Sequence, residues 1–233
     1  MSKLTILFED RDLLAVSKPG GLATQAPIQF DSLEKRVRTY LSDESDDEKP
    51  YLGIPHRLDR CVSGSIVFAK RRKAAQRLSS QFEHRTVRKQ YRALVLGSLE
   101  PAHGEWKDYL RKIPNEPRGE VVPTDRLADC PDAKLAVMSY DVVGSVGEFT
   151  DLRIQLETGR MHQIRLQASA RNHPIVGDRM YGSTVDFGHP PDCERNRHIA
   201  LHAFKLVVDH PRSRQPLTIT SPLPRNWPGE PSA

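Results

Sequence analysis

Cysteine is scarce in this chain: three residues in 233, at Cys61, Cys130 and Cys193. The number is odd, the spacing is wide and no C-x-x-C pair is present, so the sequence offers neither a disulfide framework nor a zinc knuckle, and reduced thiols are expected. Long apolar runs are also lacking. No stretch approaches the roughly 18 residues of a membrane span, and the opening Met-Ser-Lys-Leu-Thr-Ile-Leu-Phe-Glu-Asp has no signal-peptide core, which makes the cytoplasm the expected location. There is no G-x-S-x-G elbow, no P-loop and no G-x-G-x-x-G. His198-x-x-x-His202 has the spacing of a zinc-binding helix, but Ile199 to Val208 reads as a strand, where i and i+4 lie well apart, and no H-E-x-x-H glutamate accompanies it. No metal, nucleotide or organic cofactor is expected.

What the chain does contain is unevenly placed charge. The net charge is +5, yet the segment from Arg57 to Arg92 holds eleven Lys/Arg against two acids, Asp59 and Glu83, so the remainder is net negative by four. A basic field of this kind suits a polyanion, because Lys and Arg bind phosphates with release of counterions. Lys70-Arg71-Arg72-Lys73 taken alone also fits a solvated helix face. Within the same region, Asp59 stands between Arg57 and Arg60 at the mouth of a strand. Neighbouring positive charge favours the ionised form of a carboxylate, and such a group can act as nucleophile or base; a turn Asp in a surface ion pair is the plainer reading.

A mean hydropathy of −0.57 with 37% hydrophobic residues describes a globular chain long enough to bury a substantial core. Strand-like runs occur at 4–8, 13–17, 65–69, 90–96, 106–112, 135–143, 150–157, 199–208 and 217–220. Helices are expected from an Asp31 or Ser32 cap through Leu41, with Glu34 placed for a capping box, then from Lys73 to His84 with Ala75, Leu78 and Phe82 inward, and from Arg160 to Ala170. Ser42 to Pro50 reads as an acidic loop. No repeat or composition shift marks a second domain, so residues 1–221 read as one catalytic domain followed by a Pro-containing tail, 222–233. The order of elements gives an α+β fold with a mixed, largely antiparallel sheet.

His56-Arg57-Leu58-Asp59-Arg60 with Ser63-Gly64 resembles the signature of the RluA-type pseudouridine synthases, which isomerise uridine within RNA. Three further blocks agree with it. Thr158-Gly-Arg-Met-His-Gln-Ile-Arg165, with His173-Pro-Ile-Val-Gly-Asp178 and Tyr181-Gly182, resembles the family's arginine-bearing motif. Lys89-Gln90-Tyr91-Arg92-Ala93-Leu94 resembles its tyrosine motif, and Leu201-His202-Ala203 with His210-Pro211 its C-terminal end. Four ordered blocks from about Leu13 to Leu223 are far more specific than a single short match.

The resemblance implies a long bent sheet with flanking helices and a central cleft, in the version without an N-terminal S4 domain. It implies Asp59 as the catalytic carboxylate, Arg165 as the arginine that pairs with it, and Tyr91 as the ring that stacks on the target uracil. The base must be flipped out of the RNA to be reached; Arg57 resembles the arginine that fills the gap left behind, while His56 is expected to shape the loop rather than transfer protons. Arg60, Lys70, Arg71, Arg72, Lys89 and Arg160 are the further candidate RNA contacts, in a ribosomal or transfer RNA. A monomer without an obligate protein partner is expected. Val62 and Met161 depart from the family pattern, each replacing a usual Thr, and an inactive RNA-binding relative is the alternative to an enzyme.

Overall fold

The computed structural model describes residues 4–44, 49–188, 193 and 196–228. The acidic loop expected at 42–50 falls partly outside them. Two compact units emerge: residues 1–89, 191–197 and 202–224 form the first, and residues 90–190, 198–201 and 225–233 the second. The chain passes from one to the other inside a strand, β4 (Arg88–Leu96).

In the first unit β1 (Thr5–Glu9) and β2 (Leu13–Lys18) form the expected hairpin. β2 lies antiparallel to β3 (Ser63–Ala69), and β3 runs parallel to β9 (Leu201–Asp209), which also pairs antiparallel with β10 (Pro216–Thr220). All seven residues of β3 are buried, as a strand covered on both faces requires. One face packs on Leu13, Val67, Ala74, Leu78 and Leu206 under helix α2 (Arg72–Glu83), and the other on Leu14, Ile66, Phe68, Leu33 and Val37 under α1 (Leu33–Asp43). In α2 the fully packed positions are Ala74 and Leu78, one residue off the expected stripe at Ala75; Ala75 and Phe82 are partly buried. Ser32 caps α1 by accepting the Lys35 N–H at 3.2 Å. That makes Lys35 the third helical residue, so Glu34 completes no capping box and pairs instead with Arg38 at 2.9 Å.

In the second unit the strand order is β4, β8 (Phe149–Leu156), β7 (Lys134–Val146), β5 (His103–Lys112), β6 (Gly119–Val122). β6 and the 3₁₀ turn at Thr124–Asp129 give no sequence signal of their own, since four residues are too few to show a period. Helix α3 spans only Gln163–Ser169. The Thr158–Met161 stretch ahead of it is a turn, not helix, because Gln163 Oε1 receives the Arg160 N–H at 3.1 Å and the Thr158 hydroxyl at 2.7 Å. Beyond Pro222, Trp227 is buried, donates to Asp151 Oδ2 at 3.2 Å and meets Phe187 edge-on.

Two of the sequence blocks meet at the pairing of β3 with β9. Ser63 lies opposite His202 and Gly64 opposite Ala203. Ser63 Oγ sits 2.8 Å from His202 Nδ1, and His202 Nε2 donates to the Ser221 carbonyl at 3.2 Å, which fixes the tautomer. Gly64 has φ +121°, and a Cβ there would stand 2.4 Å from the Ala203 carbonyl oxygen and 2.5 Å from its nitrogen. Both contacts are backbone and cannot swing away. Gly64→Ala is therefore expected to destabilise the chain by more than about 3 kcal/mol, combining strain at positive φ with a clash in the core. Urea unfolding of the variant alongside Gly104→Ala, where the obstructing atoms belong to the Tyr140 side chain, measures the difference.

Candidate active site

Asp59 lies in a turn closed by the Val62 N–H to the Asp59 carbonyl, 3.2 Å, immediately before β3. Segment 53–58 returns alongside β3: Gly53 bridges Ala69, and the Val67 N–H donates to His56 Nε2 at 3.0 Å. A nitrogen that accepts a backbone N–H carries no proton of its own. His56 also stacks on Phe82 at 4.5 Å, and burial together with the Lys89 ammonium pushes its pKa down to about 3. It is a neutral brace of the loop.

The residues flanking Asp59 are held by the segment after β2. Thr24 Oγ1 donates to the Leu58 carbonyl at 2.7 Å and accepts the Leu58 N–H at 3.1 Å. Lys18 is fully buried and spends its three N–H groups on the carbonyls of Pro19 (2.9 Å), Leu22 (2.7 Å) and Arg60 (3.2 Å). Burial lowers its pKa to about 7, opposed by the nearby charges of Cys61 and Asp59. In its ammonium form Lys18 places a positive charge within the electrostatic reach of Asp59. A lysine closing a buried strand before Pro19-Gly20-Gly21 was the available sequence signal, and it does not stand out from an ordinary strand end.

Arg57 is exposed, and Arg60 turns towards the Gly21 carbonyl at 3.5 Å. Lys89 is half-buried in the surroundings of His56, and burial lowers its pKa. The Lys70–Arg72 run is adjacent to Asp59 only in sequence, since β3 carries it to the far end of the strand. There Lys70 pairs with Glu9 at 2.6 Å, Arg71 donates to the Arg11 carbonyl and Arg72 lies over the Tyr51 ring.

In the second unit Arg165 is buried on α3. Asp178 takes its Nε at 2.6 Å and its Nη2 at 2.9 Å, and its guanidinium lies 4.8 Å over the Tyr181 ring. A bidentate carboxylate fixes the guanidinium plane in a way that a lysine could not reproduce. Asp178 and Tyr181 thereby join the arginine motif to the loop after it. The Tyr181 hydroxyl accepts the Gly119 N–H at 3.0 Å and meets His162 Nδ1 at 2.7 Å. Arg160 precedes the helix, with Nε on the Leu135 carbonyl at 2.9 Å. Tyr91 is half-buried on β4, and its neighbour Arg92 anchors the strand to buried Asp151. Val62 is buried, an apolar setting in which the lost hydroxyl leaves no polar group to satisfy.

The RNA pseudouridylate synthase family model matches residues 12–170, a span that contains Asp59, Tyr91 and Arg165. The chain belongs to this family. It is 37% identical over 224 residues to the ribosomal large subunit pseudouridine synthase D of Nitrosomonas europaea, covering 95% of this chain and 62% of that protein. Against the dual-specificity RNA pseudouridine synthase RluA of Haemophilus influenzae it is 32% identical over 222 residues, covering 94% and 92%. A solved human structure, RNA pseudouridylate synthase domain containing 4, superposes with a TM-score of 0.76 at 24% identity, over 95% of this chain and 89% of that one. The fold is the α+β pseudouridine synthase fold, with a mixed, mostly antiparallel sheet and few helices.

The neutral state of His56 has a consequence for stability. The unfolded imidazole takes up a proton near its ordinary value of 6.5, whereas the folded one resists until about 3. Its contribution is complete above about pH 6.5 and is lost as pH falls from there towards 3, on the order of 2 kcal/mol between pH 7 and 4.5. The stability difference between wild type and His56→Asn should shrink by that amount over this range in urea titrations. A difference that stays flat with pH would show that His56 does not couple protonation to folding.

Proposed function

We propose that this chain isomerises uridine to pseudouridine in RNA, with Asp59 as the catalytic carboxylate and Tyr91 and Arg165 as its partners in the reaction. The observation that carries the reading is the family match across residues 12–170, within which Asp59 occupies a turn braced from both sides by Thr24 and Lys18. The reaction breaks a carbon–nitrogen bond and makes a carbon–carbon bond between the same two fragments. Its atom balance requires no co-reactant, in keeping with a reading that needs no cofactor. The enzyme must instead hold a detached base in place. Tyr91 supplies a flat apolar surface with a hydroxyl at its edge, and the Asp178-fixed guanidinium of Arg165 supplies an oriented positive charge.

The target is read here as a nucleotide in ribosomal or transfer RNA, flipped from its stack, with Arg57, exposed on the loop before Asp59, filling the space it leaves. Arg60, Lys89 and Arg160 line the same reading as RNA contacts. The chain is taken to act as a monomer in the cytoplasm. Among the described residues no helix is long and apolar enough to cross a membrane.

Asp59→Asn is expected to abolish pseudouridine formation, by more than about a thousandfold, while leaving the unfolding midpoint and RNA affinity near wild type, since the carboxylate makes bonds and contacts no phosphate. Product analysis of RNA incubated with each protein is the measurement, and turnover by the variant at a wild-type rate would remove Asp59 from the mechanism. A wild-type protein that binds RNA and makes no pseudouridine would favour the inactive relative.

Tyr91→Phe keeps the stacking area and loses the hydroxyl, so most turnover should go while affinity holds within a few fold. Tyr91→Ala should also lose stacking, about 1 to 3 kcal/mol. Turnover and thermal unfolding of both variants separate this from a core role, in which Phe would be silent and Ala would melt early.

A further inference from the structure

At the end of β3 away from Asp59, the first unit has a cavity of about 210 Å³ lined by Asp12, Lys73, Ala74, Arg77, Pro211 and Arg212. Three cations face it against one carboxylate, and that carboxylate is already held by Arg212 in a two-pronged pair at 2.5 and 3.0 Å, with Arg71 3.8 Å away. Lys73 and Arg77 project from the same face of α2, four residues apart. Arg77 is steadied by the Pro211 carbonyl through one nitrogen. Lys73 has no ion-pair or hydrogen-bond partner among the described residues. The neighbouring Asp10, Asp12 and His210 could in principle gather a metal. Their oxygens are already engaged: Asp10 accepts the N–H groups of Asp12 and Leu13 and pairs with His210, and Asp12 pairs with Arg212.

The cationic side of this cavity therefore has unspent charge while its acidic side does not. We propose that the Lys73–Arg77–Arg212 cavity binds a phosphodiester of the RNA backbone, as an anchor remote from the reacting base. The inference rests on the RNA-modifying function proposed above. β3 contributes seven residues between the Asp59 turn and the start of α2, which at roughly 3.3 Å per residue puts the cavity on the order of 20 Å from Asp59. The anchored phosphate therefore lies several nucleotides along the strand from the target. The anchor holds long RNA and is out of reach of a short fragment seated at Asp59. Of the cations that follow β3, Lys70 and Arg71 are committed to Glu9, Arg11 and Asp12, whereas Lys73 and Arg77 retain donors to offer.

The test uses the full chain with oligouridylates of 4 and 40 nucleotides, measured by fluorescence anisotropy across 50 to 300 mM salt. Lys73→Glu and, separately, Arg77→Gln should weaken binding of the 40-mer about tenfold and lower its slope of log affinity against log salt by about 0.7, the value for one single-strand phosphate contact. Lys73→Arg should restore both, and binding of the 4-mer should not change. An unchanged 40-mer slope in a folded Lys73→Glu protein overturns the anchor, as does an equal loss on the 4-mer.

Inorganic phosphate provides the second arm. If it raises the melting temperature of wild type but not of Lys73→Glu while the RNA slope is unaffected, the cavity belongs to a free anion and the RNA anchor is wrong. Pseudouridine formation by wild type is scored independently, so an active enzyme with an unaltered slope rejects only the anchor, and an inactive wild type with a lowered slope rejects only the reaction.

Discussion

The parallel approach of β3 to β9 at Gly64 and Ala203 is the constraint on which the first unit depends. The two backbones are so close that no side chain fits between them, and Ser63 with His202 locks the register one residue earlier. A strand held this firmly, buried on both faces, ends at a defined point. The turn that carries Asp59 leads directly into β3, so the position of the carboxylate follows from backbone packing several residues away. The same strand delivers α2 and its cations at its other end. Chemistry and charge that are contiguous in sequence are thus separated by the length of a strand.

Much of this was legible before any coordinates. The strands were readable as runs of apolar and β-branched residues bounded by turn residues, and α1 and α2 from their apolar stripes, since Leu33, Val37, Leu41 and Leu78 all fall in the core. What was not legible depended on contacts distant in sequence. Helix α3 starts at Gln163 rather than Arg160 because the Gln163 side chain bonds back to Thr158 and Arg160 in a turn that no hydrophobic pattern records. Trp227, in what reads as a Pro-containing tail, is buried because Asp151 and Phe187 receive it. Lys70–Arg72 stand at the other end of β3 from Asp59, since linear distance along an extended strand is real distance.

The candidate site was legible by motif and opaque in its supports. His56, Arg57, Asp59, Tyr91 and Arg165 stand in recognisable blocks, yet the groups that hold them are unremarkable as letters. Lys18 looks like the end of a strand, Thr24 like a loop residue and Asp178 like part of a turn. Asp178 is the partner that fixes Arg165 within its own unit. Each support acts through geometry that only a fold can supply.

Those supports share a physical logic. Thr24 grips the peptide before Asp59 through both its carbonyl and its N–H, and Lys18 grips the carbonyl of the residue after it. These bonds fix the backbone on either side of the carboxylate. Main-chain anchors of this kind limit how far the side chain can drift from its working position. A buried ammonium suits this task because it has three donors and a short carbonyl-lined cage uses all three, which spreads its charge over peptide dipoles where a second acid would otherwise be needed. A neutral side chain of similar length could fill the volume of Lys18, but it would leave the carbonyls of Leu22 and Arg60 unsatisfied in the interior and the loop free to shift away from its working position.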